Sequence, residues 1–160
     1  MKLLNKMNIR ALLITCFVLL QMTVISQITG KVVSIHDGDT FTLLDGSNTQ
    51  IKVRLHGIDC PELHQAYGSK AKDYTSGLIF GKQVTLKTNG KDRYGRTIAI
   101  VLLQDGRVLN ELLLKDGYAW HYLKYDNNLL WSDYEASARS NKRGLWQDSN
   151  PVAPWDYRHK

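Results

Sequence analysis

Five short segments with apolar side chains at alternate positions, each bounded by turn residues, limit this chain to a small β-rich architecture. Residues 28–35 read as the first strand. His36-Asp37-Gly38-Asp39 then turns the chain: Gly permits positive φ, and Asp side chains bond to nearby backbone. Residues 40–44 return as the second arm of a hairpin, and Asp45-Gly46 is another turn signal. Gln50–Leu55 places Ile51, Val53 and Leu55 on one face, with Arg54 facing away from them. Residues 83–87 and 96–103, separated by a loop over 88–95, complete the set. Helical spacing marks 69–80 (Ala71, Tyr74, Leu78, Ile79), 108–115 (Leu109, Leu112, Leu113) and 129–142 (Trp131, Tyr134, Ala138). Gly81 and Gly117 close the first two helices. The order predicts an α+β fold, a five-stranded Greek-key barrel of the oligonucleotide/oligosaccharide-binding type with three α-helices. Tyr118, Trp120, Trp131 and Trp146 are expected in the core.

The 160 residues suit one domain, and 43% hydrophobic with 22% charged residues excludes collagen-like, disordered and multi-span membrane chains. Two cysteines are too few for a disulfide scaffold or a structural zinc site. Lys2, Lys6 and Arg10 precede a short apolar run from Ala11 to Leu20, and Val24 and Ser26 suit a signal peptidase. Residues 1–26 are therefore expected to be a cleaved signal peptide. The run to Ile25 is interrupted by Gln21 and falls short of the roughly 20 apolar residues of a spanning helix. Thr15 before Cys16 argues against a lipoprotein. Cleavage leaves residues 27–160 as a single domain, with a core over about 28–146 and a loop-like tail over 147–160. The formal charge drops from +6 to +3, and Cys60 becomes the lone thiol, so no internal disulfide forms. An exported monomer, secreted or periplasmic and without stable membrane association, is expected.

Three polar clusters sit at strand ends. Asp37, Asp39, Asp59 and Glu62 lie in two turns that follow the first and third strands. If the turns meet, the converging carboxylates repel one another unless a cation lies among them. Calcium takes roughly six to eight oxygen ligands from carboxylates, carbonyls and water. Each acid taken singly reads better as an ordinary turn residue, and only their convergence points to a cation. Arg54 lies inside a strand and Arg96 opens one. Paired guanidiniums hold a phosphate bidentately and counter the charge that develops as it is attacked. Lys52 and Lys87 read as solvated strand residues. His36, His56 and His64 show no metal-ligand spacing. Cys60 has no adjacent cation to stabilise a thiolate and reads as a packing residue. Tyr94, Tyr122 and Tyr125 can stack on bases.

Asp37-Gly38-Asp39-Thr40, Val53-Arg54-Leu55 with Ile58-Asp59-Cys60-Pro61-Glu62, and Asp92-Arg93-Tyr94-Gly95-Arg96 follow one another as in the staphylococcal nuclease (thermonuclease) family. The chain resembles that family from about residue 28 to 146. The resemblance implies a five-stranded barrel with three helices, and Ca²⁺ held by the Asp39 and Asp59 carboxylates and the Cys60 backbone carbonyl. It implies that Glu62 positions or deprotonates a water and that Arg54 and Arg96 clamp the scissile phosphate. Arg93, Tyr94 and Tyr122 would contact substrate, with Asp37 behind the metal ligands. Cys60 stands where the best-known members have Thr, which a carbonyl ligand tolerates. The segment after Glu62 is short and runs through Gln65-Ala66-Tyr67-Gly68 into the helix.

The implied activity is calcium-dependent hydrolysis of DNA and RNA at the P–O5′ bond, leaving 3′-phosphate ends. A non-catalytic nucleic-acid-binding module of the same fold is the alternative. Its expected mark is the loss of some of these acids or arginines, and all are present. A calcium-stabilised exported structural domain is a third, more distant possibility.

Overall fold

Residues 27–159 are described by a computed structural model of the chain, and the leader expected over residues 1–26 lies outside them. The first three strands, β1 (Gln27–Ile35), β2 (Thr40–Asp45) and β3 (Gln50–Leu55), form an antiparallel meander. Phe41 lies opposite Val53, and Leu43 opposite Ile51. A two-residue strand, β4 (Ile58–Asp59), precedes helix α1 (Gly68–Ile79). β5 (Gln83–Lys91) pairs antiparallel with β1 and with β6 (Thr97–Leu102). β3 and β6 run parallel, with Val53 opposite Thr97, and close the barrel in the order β1-β2-β3-β6-β5. Val32, Phe41, Leu43, Val53, Leu86 and Val101 fill its interior. The expected barrel and three substantial helices are thus present.

Helix α2 (Leu109–Lys115) buries Leu109, Leu113 and Leu114. β7 (Trp120–His121) pairs antiparallel with β4, and α3 (Leu129–Ser140) buries Trp131 and Ala138. Asn128 caps α3 by accepting the Leu130 N–H at 3.0 Å. A second apolar cluster of Ala138, Leu145 and Trp146 packs with Tyr67 and Trp120. Among the described residues, no helix is long and apolar enough to cross a membrane.

The structure adds the two-residue strands β4 and β7, which the sequence did not announce, and differs from the sequence reading at β5 and in the tail. β5 does not end at 87 but runs to Lys91, because a register irregularity between Thr88 and Lys91 lets the ladder resume opposite Thr97. The tail beyond 146 is not simply loop. Gly144–Gln147 forms a 3₁₀ turn seated by Leu145 and Trp146, and Pro154–Tyr157 forms a one-turn helix, α4. Pro154 starts it because its fixed φ suits the first helical position, where no N–H is needed.

Two buried polar networks lock the elements around β4. The Asn110 side chain accepts the Val101 N–H at 3.1 Å and donates to the His56 carbonyl at 2.9 Å. It thereby fastens the turn after β3 to β6. His121 Nδ1 meets Ser132 Oγ and its Nε2 meets Asp126 Oδ1, both at 2.9 Å, while Asp126 Oδ2 meets His56 Nε2 at 3.2 Å. That Ser–His–Asp order is shared by acyl-transfer triads, but the His121 side chain is 0% exposed, so it ties β7 to α3.

Candidate active site

The turn between β1 and β2 is shaped to deliver one carboxylate. The Asp37 side chain accepts the Asp39 N–H at 3.0 Å, and Thr75 Oγ1 of α1 donates to the Gly38 carbonyl at 2.6 Å. Gly38 is required for this approach. A Cβ there would lie 2.8 Å from the Cys60 Cβ and 2.9 Å from the Ala71 Cβ. The Asp39 carbonyl accepts the Leu55 N–H at 2.9 Å, and its Oδ2 accepts the Cys60 N–H at 2.7 Å. The two turns that the sequence left apart therefore meet at Asp39.

Arg54 lies between the carboxylates. Its Nη1 faces Asp39 Oδ2, and its Nη2 donates to Asp59 Oδ1 at 2.6 Å. All three side chains are largely shielded from water, at 13% exposure for Arg54, 6% for Asp39 and 1% for Asp59. Burial pushes Asp39 up to about 7, with Asp37 adding to the rise and Arg54 opposing it. Burial also raises Asp59 despite its Arg158 and Arg54 partners. Burial opposes the Arg54 charge too, but Asp39 and Asp59 more than offset it, so Arg54 is raised above its ordinary value. The Cys60 thiol is buried and pushed well up by desolvation and by Asp39, so its side chain is packing and not a nucleophile.

Glu62 is held from behind. Its N–H donates to Gln65 Oε1 at 3.1 Å, and its carbonyl accepts the Gln65 N–H at 2.8 Å. A Cβ at Gly68 would lie 1.9 Å from the Glu62 carbonyl oxygen, so only glycine lets α1 start this close. The Glu62 carboxylate points to a partner that sequence reading missed. Arg158 Nη1 donates to Glu62 Oε1 at 2.7 Å, and its Nη2 donates to Asp59 Oδ2 at 2.8 Å. The only sequence hint was a basic residue near the end of a tail read as loop.

The third cluster forms its own turn. Asp92 Oδ1 accepts the N–H groups of Tyr94 and Arg96, each at 2.9 Å, and its Oδ2 accepts Arg96 Nε at 2.6 Å. Burial would raise Asp92, but the Arg96 side chain and these two N–H groups outweigh it and hold it below its usual range. Arg93 donates to the Tyr94 hydroxyl at 2.6 Å, and the Arg96 guanidinium lies 5.6 Å from the Tyr94 ring centre. Arg96 thus bonds to Asp92 and not to the acids around Arg54. Arg96 does not open β6 but immediately precedes it, in the turn held by Asp92, and the pairing of Val53 with Thr97 brings the end of that turn beside β3. Tyr122 anchors its N–H on the Gly57 carbonyl at 2.9 Å and stacks on Trp155, with ring centres 4.8 Å apart and 15° between planes.

The donor set suits a hard cation. Asp39, Asp59 and the Cys60 carbonyl offer oxygens only, and buried carboxylates with raised pKa values gain most from a compensating positive charge. Among the described residues, no three Asp, Glu, His or Cys side chains form an ion cage by themselves. An ion here would complete its shell with water and substrate oxygens.

The chain resembles known proteins over most of its length. The family model described as "Staphylococcal nuclease homologue" matches residues 52–148. A Haemophilus influenzae protein named "Uncharacterized endonuclease" is 42% identical over 132 residues, which is 82% of this chain and 74% of the relative. An Escherichia coli O157:H7 protein of the same name is 39% identical over 135 residues, covering 84% and 88%. A Shigella flexneri protein named "Micrococcal nuclease" is 39% identical over 139 residues, covering 81% and 79%.

Proposed function

Because this chain belongs to the family of staphylococcal nuclease homologues, enzymes that hydrolyse nucleic acid, we propose that it is a calcium-dependent phosphodiesterase cutting DNA and RNA at the P–O5′ bond. It leaves 3′-phosphate and 5′-hydroxyl ends. The observation that carries this reading is the convergence of Asp39, Asp59 and Arg54 beside Glu62. Asp39, Asp59 and the Cys60 carbonyl hold the cation, and Asp37 fixes the backbone that presents Asp39. Calcium, when bound, neutralises charge on a non-bridging phosphate oxygen.

The protein side chains do the remaining work. Glu62 holds the attacking water and takes or directs its proton. The oxygen of that water bonds to phosphorus in line as the P–O5′ bond breaks, and the departing 5′ oxygen takes up a proton from solvent to become the 5′-hydroxyl. Arg54 and Arg96 stabilise the charge on the equatorial oxygens and on the departing 5′ oxygen. Arg96 must leave or share Asp92 to do so, and Arg54 must likewise yield or share Asp39 and Asp59. Arg93 meets a neighbouring phosphate, and Tyr94 and Tyr122 receive bases. With residues 1–26 read as a leader, the enzyme works outside the cytoplasm as a monomer.

The test is digestion of single-stranded DNA and RNA with calcium, with EGTA, and by Glu62→Gln. Cleavage in calcium that stops in EGTA and falls at least about 100-fold in the variant is expected. Undiminished cleavage in EGTA would sink the mechanism. Retardation of an oligonucleotide that is never shortened would favour the non-catalytic binding module.

A further inference from the structure

The C-terminal segment lies across the same groups. Val152 accepts Gln65 Nε2 at 2.6 Å, and the Tyr157 hydroxyl donates to the His64 carbonyl at 3.3 Å. Trp155 covers one face of Tyr122 and sets its edge against Trp120, with centres 5.6 Å apart and 73° between planes. Arg158 then forks Asp59 and Glu62, with Nη1 also within 3.3 Å of Asp59 Oδ1. Two of the groups assigned to cation and water, and one assigned to a base, thus already have intramolecular partners.

This docking is shallow. Ala153 and Pro154 are buried, while residues 156–159 are exposed. A cavity of about 160 Å³ remains between the segment and the chain from Pro61 to Tyr67, lined also by Trp120, Val152 and Tyr157. The segment is held by two hydrogen bonds, the Arg158 ion pairs, two ring contacts and two small buried residues, all outside the barrel core, and local opening of such a unit leaves the core folded. A guanidinium and a metal ion cannot share the same carboxylate lone pairs, and a base cannot stack where an indole already lies.

We propose that residues 152–159 form an autoinhibitory cap, in which Arg158 competes with the cation for Asp59 and with the attacking water for Glu62, while Trp155 competes with a substrate base for Tyr122. The inference rests on the calcium nuclease reading. Cation and nucleic acid bind together by displacing the cap, so each favours the other through the shared closed state.

The test is calorimetric titration of the full chain with calcium, comparing the parent with Arg158→Ala and Arg158→Lys. A second readout is the ¹⁹F resonance of 5-fluorotryptophan at Trp155. Arg158→Ala is expected to bind calcium about tenfold more tightly and Arg158→Lys about threefold, because Lys keeps the charge but loses the fork. Saturating calcium is expected to move the Trp155 resonance of the parent to the position it holds in Arg158→Ala. Unchanged or weaker calcium binding by Arg158→Ala, a Lys variant identical to the parent, or a Trp155 signal blind to calcium would each overturn the cap and leave the nuclease reading standing. No calcium binding by any of the three proteins would overturn the calcium reading, and the cap with it.

Discussion

Arg54 is the counter-charge for two buried aspartates, and replacing it by Met exposes what that arrangement is worth. Breaking a buried ion pair by removing one partner costs about 3–5 kcal/mol, because the other charge is left uncompensated in a poorly hydrated place. Arg158 still contacts Asp59 after the change, so Asp39 is the main orphan. Asp39 already sits at about 7, and losing Arg54 removes an influence that lowers it. The sign follows. A folded pKa raised above the unfolded value favours folding when the group is protonated, and this advantage is lost as pH rises through the folded pKa. In the parent that loss is complete a little above pH 7. In Arg54→Met it continues to higher pH, at up to about 1.4 kcal/mol per unit. The stability deficit is therefore expected to be about 1–3 kcal/mol at pH 6–7 and about 3–5 kcal/mol at pH 8.5. Urea unfolding followed by tryptophan fluorescence, at fixed salt with a chelator present, measures it. Adding Asp39→Asn to Arg54→Met keeps an acceptor for the Cys60 N–H, removes the orphan charge, and should recover about half of the loss at pH 8.5. A deficit below about 1 kcal/mol, a deficit that ignores pH, or a double variant no better than the single one would refute the reasoning.

Other consequences are equally open to measurement. Asn110→Ala strands the Val101 N–H and the His56 carbonyl at the barrel wall and should cost about 3 kcal/mol in urea unfolding. Gly38→Ala forces a methyl group against Cys60 and Ala71, so a loss of about 1–3 kcal/mol with weakened calcium binding is expected. Burial would raise Asp126, but the Asn128 N–H together with His121 and His56 outweighs it and holds the carboxylate below its ordinary 3.8. Its contribution is therefore present above that value and lost as pH falls through the lower folded one. The stability gap between the parent and Asp126→Asn, read from acid titration of urea midpoints, should shrink below about pH 4.

The barrel was legible because alternating apolar residues must face one interior and because Asp-Gly pairs turn the chain. Gln50–Leu55 and its outward Arg54 were readable at residue level for that reason. The prolonged β5 was not, since Thr88–Lys91 is polar and its pairing is set by the partner strand across an irregular register. The candidate acids and arginines were legible as residue types in turns. That Asp39 and Asp59 share Arg54 is a tertiary fact, made by Leu55 and Cys60 donating to Asp39. Asn110, Asp126 and His121 carried no signal, because each bonds to groups distant in sequence or ordinary in type. Arg158 was hidden because a Pro-containing polar tail looks the same whether it docks or not.

The central claim is that these carboxylates and arginines break the P–O5′ bond by water attack. Digestion of a defined oligonucleotide in ¹⁸O-water with calcium, followed by mass spectrometry of the fragments, tests it most directly. The account requires ¹⁸O in a 3′-phosphate with an unlabelled 5′-hydroxyl on the other fragment, and at least about 100-fold less product from Arg96→Ala. Labelled 5′-phosphate ends, or undiminished product from Arg96→Ala, would contradict it.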